Sequence, residues 1–337
     1  MNIQHPFIIY VGSETIFRKV KTACGIVDWA PERCLAQHRD SEEAYDLGLP
    51  DMSLAQAKEA GAKTLLLGFS PREVSNFNSR VLSVCKEAID LGLNIASGSH
   101  AKLEPVLLAE FGDLNGIEVY DFRHKPIDWI KGTGEERSGY RILTFGTDCA
   151  SGKKFTALSV WKELLNQSYS SRFVATGQTG YLISGAGITN DTIPADFIVG
   201  ALEQETPSAP HNHIDVVEGQ GSILHPSFGG STYAIIQGSQ PDMMIACHDP
   251  SRTIINDTTT PIDLDETIRF NLQVARFSNP NVRLGAISLF SREVSFEVYA
   301  ALRDKLKAQY SVPVFDPTRE PELLTAFVKA DEFFNVK

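Results

Sequence analysis

One short loop constrains the fold of this chain more than any other feature. The apolar run 141–145 leads directly into Gly146-Thr-Asp-Cys-Ala-Ser-Gly-Lys-Lys154, and apolar residues then repeat at helical spacing from Ala157 to Leu165. A strand that enters a glycine-bounded loop and then a helix is the repeating unit of a parallel α/β sheet, and the loop lies at the carboxyl edge of that sheet.

The same alternation of strands and helices runs through the rest of the chain. We predict strands at 7–11, 25–29, 64–69, 94–97 and 117–122, and later at 141–145, 173–176, 214–217, 243–247, 284–289 and 312–315. Apolar residues from Val81 to Ile89 predict a helix that ends before Gly92. Residues 131–139, rich in glycine and charge, are the best linker candidate. The predicted domains are therefore 1–130 and 140–337, both α/β with parallel sheets.

Composition and charge exclude several classes of protein. The chain has 42 acidic against 31 basic residues, a formal charge of −11, and no Lys/Arg-rich run, which argues against nucleic acid or an anionic membrane as partner. No apolar run approaches the roughly 20 residues that span a bilayer. Five cysteines without a CxxC pair fit neither a disulfide framework nor a zinc knuckle. We expect a cytoplasmic homo-oligomer that acts on a small molecule.

The loop after the sixth predicted strand has the chemistry of a phosphate cradle. Backbone N–H groups and the positive end of the following helix attract an anion, and a lysine at the helix start adds a charge. We expect the Lys153 ammonium to face solvent, so that its removal costs little stability. The residues predicted to bind a cofactor are Gly146, Thr147, Asp148, Cys149, Ala150, Ser151, Gly152, Lys153 and Lys154.

The residue after the loop lysine predicts binding without Mg²⁺. The spacing GxxxxxGK resembles the longer P-loop of dethiobiotin synthetases, but Lys154 stands where a P-loop carries the Ser or Thr that binds Mg²⁺. Thr156 lies about 200° further around the helix and is poorly placed to replace that hydroxyl. His211 and His213 lack further ligands nearby. We therefore expect no metal, and a bound diphosphate that serves as a handle.

Four sequence blocks, in this order, resemble a known family. They are the loop 146–153, Thr176-Gly-Gln-Thr-Gly180, Val217-Glu-Gly-Gln-Gly-Ser222 with His225-Pro226, and His248-Asp-Pro-Ser-Arg252. The family consists of two-domain proteins long catalogued as having unknown function, and it includes bacterial D-glutamate N-acetyltransferases. The resemblance implies a Rossmann-like N-terminal domain, a P-loop NTPase-like C-terminal domain, acetyl-CoA as donor and D-glutamate as acceptor.

Polar residues at predicted strand ends supply the candidates for catalysis. An amine acceptor must lose a proton before it attacks a thioester, so a carboxylate or imidazole is required as a base. The pool for this base is Glu218, His225, His248 and Asp249. The candidates for binding substrate, including Arg252 as a planar clamp for a carboxylate, are Gln178, Thr179, Gln220 and Arg252.

Two other functions stay open at the level of sequence. An ATP-dependent ligase or kinase acting on a small carboxylate would use the same loop, although Lys154 counts against it. A regulatory nucleotide-binding module would need the loop without the surrounding polar residues. An acyl-cysteine intermediate at Cys149 is a further alternative to direct transfer.

Overall fold

A computed structural model describes residues 3–17, 19–69, 77–125 and 128–334. The chain divides into two units, one formed by Met1–Pro126 with Gln178–Gly185, and the other by Ile127–Gly177 with Ala186–Lys337. Each unit is built on one parallel sheet with helices between successive strands. The predicted α/β class with two parallel sheets is confirmed.

The first unit is a five-stranded sheet of order β2-β1-β3-β4-β5. Its strands are β1 Phe7–Gly12, β2 Cys34–Arg39, β3 Thr64–Leu67, β4 Asn94–Ser97 and β5 Val119–Asp121. The helices between these strands are α1 Lys21–Trp29, α2 Leu54–Glu59, α3 Ser79–Asp90 and α4 Glu104–Phe111. The core between sheet and helices contains Ile8, Leu65, Val84, Ala88 and Ile95.

The prediction of a helix over 81–89 is confirmed, and its ends have clear causes. The Asn78 side chain caps α3 by accepting from the Val81 N–H at 3.0 Å. Beyond the last turn, Gly92 has a φ of +65°, a conformation that ends helices and favours glycine.

The predicted strand at 25–29 is wrong, because these residues form the end of α1. Ile26 and Val27 favour a strand locally, but the helix buries one face that includes Ala23 and Ile26. The second strand lies further along, at Cys34–Arg39, and pairs with β1. It was missed because its sequence is polar, and its buried Gln37 is accommodated by hydrogen bonds to Asp46 and to a backbone carbonyl.

The second unit is a six-stranded parallel sheet of order β11-β10-β9-β6-β8-β7. Its strands are β6 Tyr140–Gly146, β7 Ser170–Val174, β8 His213–Val217, β9 Met243–His248, β10 Arg283–Leu289 and β11 Val314–Phe315. The helices in this part of the chain are α5 Lys153–Asn166, α6 Gln178–Ser184, α7 Ala195–Glu205, α8 Gly229–Ser239, α9 Leu264–Ala275, α10 Phe296–Tyr310 and α11 Pro321–Ala330. The predicted strands of this half are confirmed within two residues at each end, except that β7 begins three residues before the predicted 173–176.

The topology of the second sheet determines where a ligand can bind. β6 lies between β8 and β9. The chain leaves β6 toward β7 on one side, and the later connection from β8 crosses to β9 on the other side. A crevice opens at the carboxyl edge where such connections diverge, and ligands of open α/β sheets bind there. The glycine loop that follows β6 is at this point. No helix among the described residues is long and apolar enough to cross a membrane.

The 131–139 segment is fastened to the second unit by hydrogen bonds. The backbone N–H groups of Thr133 and Gly134 each donate to the Glu203 carboxylate at 2.8 Å. The Arg137 guanidinium donates to the carbonyl of Gly238 at 2.6 Å. Burial lowers the pKa of Arg137 to about 10, which still leaves it charged at neutral pH.

We predict that Arg137→Ala destabilises the protein by about 2–3 kcal/mol, since it removes a buried charged donor from backbone carbonyls. The matched control is Arg276→Ala, at an exposed position after α9, which should stay within about 0.5 kcal/mol of wild type. The urea midpoint of each variant, followed by circular dichroism, measures the difference. If Arg137→Ala and wild type have equal urea midpoints, the hydrogen bonds of Arg137 do not stabilise the protein.

Candidate active site

Two glycines allow the phosphate loop to close. A Cβ on Gly146 would lie 2.2 Å from the Ser151 hydroxyl, so that only glycine fits against the returning chain. Gly152 has a φ of +93°, and a Cβ there would lie 2.9 Å from the Cβ of Phe290. The loop therefore folds tightly onto the ends of β6 and β10 before α5 begins.

A buried carboxylate in the loop holds a neighbouring segment in place. Asp148 is fully buried and accepts from the N–H of Cys149 at 2.6 Å and from the N–H of Asn256 at 2.7 Å. It also pairs with the Arg252 guanidinium, whose other nitrogen donates to the Cys149 carbonyl at 2.6 Å. Arg252 thus supports the phosphate loop. Its predicted use as a clamp for a substrate carboxylate stays a prediction.

The ammonium of Lys153 is buried, and the expectation that it faces solvent is wrong. The residue is only 6% exposed, and Nζ donates to the Asp148 carbonyl at 2.6 Å. Burial lowers the pKa of this amine, while the charges of nearby Asp148 and Glu218 act in the opposite direction. The sequence did not reveal this burial, because the strands that cover the side chain lie far from Lys153 in the sequence.

Glu218 follows β8, the strand beside β6, and is also buried. Its Oε2 accepts from the Thr176 N–H at 3.2 Å. Burial raises the pKa of Glu218, and the ammonium groups of Lys154 and Lys153 partly offset this effect. A Cβ on Gly219 would lie 1.8 Å from the Thr144 carbonyl and 3.3 Å from Lys153 Cδ, so a glycine is needed where the two strand ends converge.

His248 ends β9 on the other side of the loop. Its Nδ1 lies 3.1 Å from the Thr147 hydroxyl. Burial lowers the pKa of His248, which favours the neutral ring at neutral pH. Asp249 bends the chain after it, accepting from the Ser251 N–H at 3.0 Å and from the Ser251 hydroxyl at 2.6 Å. His248 therefore contacts the loop directly, whereas Asp249 forms a turn.

His225 has both ring nitrogens bonded to the backbone. Nδ1 accepts from the Ser227 N–H at 3.0 Å, so the proton must be on Nε2, which donates to the Asn256 carbonyl at 3.0 Å. The backbone N–H of the same residue, Asn256, donates to Asp148. The structure thus gives His225 a supporting role around the phosphate loop. Sequence reasoning missed Asn256, because its contribution here is made by backbone atoms that leave no sequence signal.

The remaining candidates have contacts within their own units. In the second unit, the Gln220 amide covers Gly177, where a Cβ would lie 2.7 Å from Nε2. Gln178 and Thr179 begin α6 and belong to the first unit. There the Gln178 amide oxygen accepts from Arg123 Nε at 3.1 Å. The substrate-binding roles of these residues stay predictions. Among the described residues, no group of three His, Cys, Asp or Glu side chains could hold a metal ion.

Comparison with known proteins adds an independent line of evidence. A model described as a domain of unknown function, DUF1611 P-loop domain, matches residues 128–324. A second, described as the DUF1611 Rossmann-like domain, matches residues 36–125. A crystal structure of a DUF1611 family protein from Anabaena variabilis is similar at 25% identity with a TM-score of 0.82, covering 97% of this chain and 100% of that one.

Two curated bacterial proteins are similar over almost their whole length. A D-glutamate N-acetyltransferase of Pseudoalteromonas sp is 37% identical, covering 95% of this chain and 97% of that protein. A D-glutamate N-acetyltransferase of Tritonibacter scottomollicae is 35% identical, covering 94% and 96%. Together with the two domain matches, these similarities show that the chain belongs to the DUF1611 family, with its Rossmann-like and P-loop domains in that order.

Proposed function

We propose that this protein transfers an acetyl group from acetyl-CoA to the amino group of D-glutamate. The observation that carries the proposal is Glu218, a buried carboxylate next to two lysines at the end of the phosphate loop. The two relatives named D-glutamate N-acetyltransferase, similar over nearly the full chain, supply the choice of acceptor and reaction.

The loop fits the diphosphate of CoA. Lys153 provides a desolvated cation at the start of α5, and Lys154 adds a second charge where Mg²⁺-dependent P-loops carry a hydroxyl. The Thr156 hydroxyl is engaged elsewhere, since its Oγ1 lies 2.8 Å from Ser288 Oγ in the interior. Two lysines beside the loop suit a diphosphate that stays intact during the reaction.

Glu218 is the base in the proposed mechanism. It accepts one proton from the substrate ammonium, and the neutral amine then attacks the thioester carbonyl carbon. The C–N bond forms and the C–S bond breaks, and the second proton lost from nitrogen neutralises the departing thiolate. A carboxylate whose pKa is raised by burial is a stronger base than an exposed one, while Lys153 and Lys154 favour its ionised form. His248 remains the second candidate for the base.

We predict that Lys153→Met weakens binding of CoA by roughly 10- to 100-fold, the effect of losing a buried charge-assisted contact to phosphate. Methionine keeps the apolar stem within the buried site and removes only the charge. The control is Lys162→Met, at an exposed position on the same helix, and it should bind CoA as wild type does. Isothermal titration calorimetry measures the affinities. Unchanged affinity in Lys153→Met would exclude the loop as the phosphate site.

We predict that Glu218→Gln lowers kcat/KM by about 10²- to 10⁴-fold and removes the acid limb of its pH profile, as expected for a lost general base. In wild type that limb should lie at higher pH than an exposed glutamate would give, because burial raises the pKa of Glu218. Glu110→Gln, at an exposed position, serves as control. An acid limb that persists in Glu218→Gln would transfer the role of base to another group, His248 first.

The stability of Glu218→Gln separates a catalytic loss from a folding defect. A raised pKa in the folded state means that wild type is at full stability below the unfolded pKa and loses stability as pH rises through the folded pKa. Glutamine does not ionise. The variant should therefore become more stable relative to wild type as pH rises, while its activity stays low.

We predict that activity survives EDTA, with D-glutamate-dependent release of free thiol from acetyl-CoA and no consumption of ATP. The reason is the ammonium of Lys154 at the position of the usual Mg²⁺ ligand. Thiol release and ATP hydrolysis are followed in parallel, with and without added Mg²⁺. Strict Mg²⁺ dependence with ATP turnover and no thiol release would replace this proposal with a ligase or kinase.

A further inference from the structure

An arginine stacked on two aromatic rings lies beside the phosphate loop. The guanidinium of Arg292 is 5.6 Å from the ring centre of Phe155 and 5.1 Å from that of Phe290. The two rings are 6.4 Å apart and inclined at 54°. Both phenylalanines are half-buried, and Arg292 is exposed. The cluster is a positively charged aromatic surface open to solvent, and we call these three residues the aromatic platform.

The backbone attaches the aromatic platform to the loop. Phe155 is the third residue of α5, two residues after the loop lysine. Phe290 follows β10, and its N–H donates to the His248 carbonyl at 2.8 Å. A Cβ on Gly152 would lie 2.9 Å from the Cβ of Phe290, so Phe290 packs directly against the end of the loop. A ligand whose phosphates occupy the loop would have the aromatic platform next to it.

The aromatic platform and Glu218 lie on opposite sides of the loop. Along the sheet the order is β10, β9, β6 and β8, with Phe290 after β10 and Glu218 after β8. Three strand spacings separate these two ends, roughly 14 Å. A ligand that spans the loop can therefore be recognised at one end while its other end reaches the base.

Building on the proposed function, we propose that Phe155, Phe290 and Arg292 bind the adenosine 3′-phosphate end of CoA. Adenine is a flat ring system that stacks on aromatic rings and on guanidinium planes. The 3′-phosphate is an anion outside the diphosphate, and a guanidinium is well suited to hold it. This contact distinguishes CoA from nucleotides without a phosphate on the ribose 3′-oxygen.

The test compares CoA with 3′-dephospho-CoA, which lacks only that phosphate. Isothermal titration calorimetry should give wild type a preference for CoA of about five- to tenfold, the effect of one exposed charge-assisted contact. Arg292→Gln should reduce the preference to about one by weakening CoA alone. Arg292→Lys, which keeps the charge without the planar group, should retain part of the preference.

Variants of the rings should behave differently from variants of the arginine. Phe290→Leu should weaken both ligands by about the same factor, fivefold or more, because stacking does not involve the 3′-phosphate. The matched control for Arg292 is Arg283→Gln. Arg283 begins β10, the strand that Phe290 follows, and its guanidinium also lies over an aromatic ring, 5.8 Å from the ring centre of Phe333. It should leave both affinities unchanged.

Each result identifies which proposal fails. If the ratio of the affinities for CoA and 3′-dephospho-CoA is the same in wild type and in Arg292→Gln, the aromatic platform does not bind the 3′-phosphate. The acetyltransferase proposal then stands. If wild type binds neither compound but binds ADP, acetyl-CoA as donor fails, and this inference fails with it. A preference for CoA that disappears only in Arg292→Gln supports both.

Discussion

The site depends on opposite charges buried at one sheet edge. Lys153 and Glu218 are each removed from water, and burial disfavours the charged form of both. Such groups are tolerated because each also has hydrogen-bond partners, the Asp148 carbonyl for the lysine and the Thr176 N–H for the glutamate. The two side chains are thereby held in position before any ligand arrives, as the proposed phosphate binding and proton transfer require.

The loop itself is supported from outside by a second set of polar contacts. Asp148 joins the loop to Arg252 and to the backbone N–H of Asn256, and the carbonyl of Asn256 in turn accepts from His225. Residues that looked from sequence like a substrate clamp and a catalytic base thus share a supporting network. They belong to different loops, so only the folded chain brings their partners together.

Local patterns were sufficient for much of the fold. Apolar strands, the capped helix α3 and the glycine loop each carry their signal in consecutive residues, and the structure confirmed them. The polar strand β2 and the burial of Lys153 depend on contacts distant in sequence, and both were mispredicted. The contact of Arg292 with Phe155 is also distant in sequence, so the sequence alone did not indicate the aromatic platform.

The net charge bears on the proposal that recognition extends beyond the loop. A chain of formal charge −11 repels a polyanion at long range, so attraction must come from local cations. Arg252 is paired with Asp148, and the cations that we propose for ligand binding along this edge are Lys153, Lys154 and Arg292. Arg292 lies on the β10 side, away from Glu218, so in the proposed complex it would add affinity with little effect on the pKa of the proposed base. Recognition and proton transfer can therefore be strengthened independently.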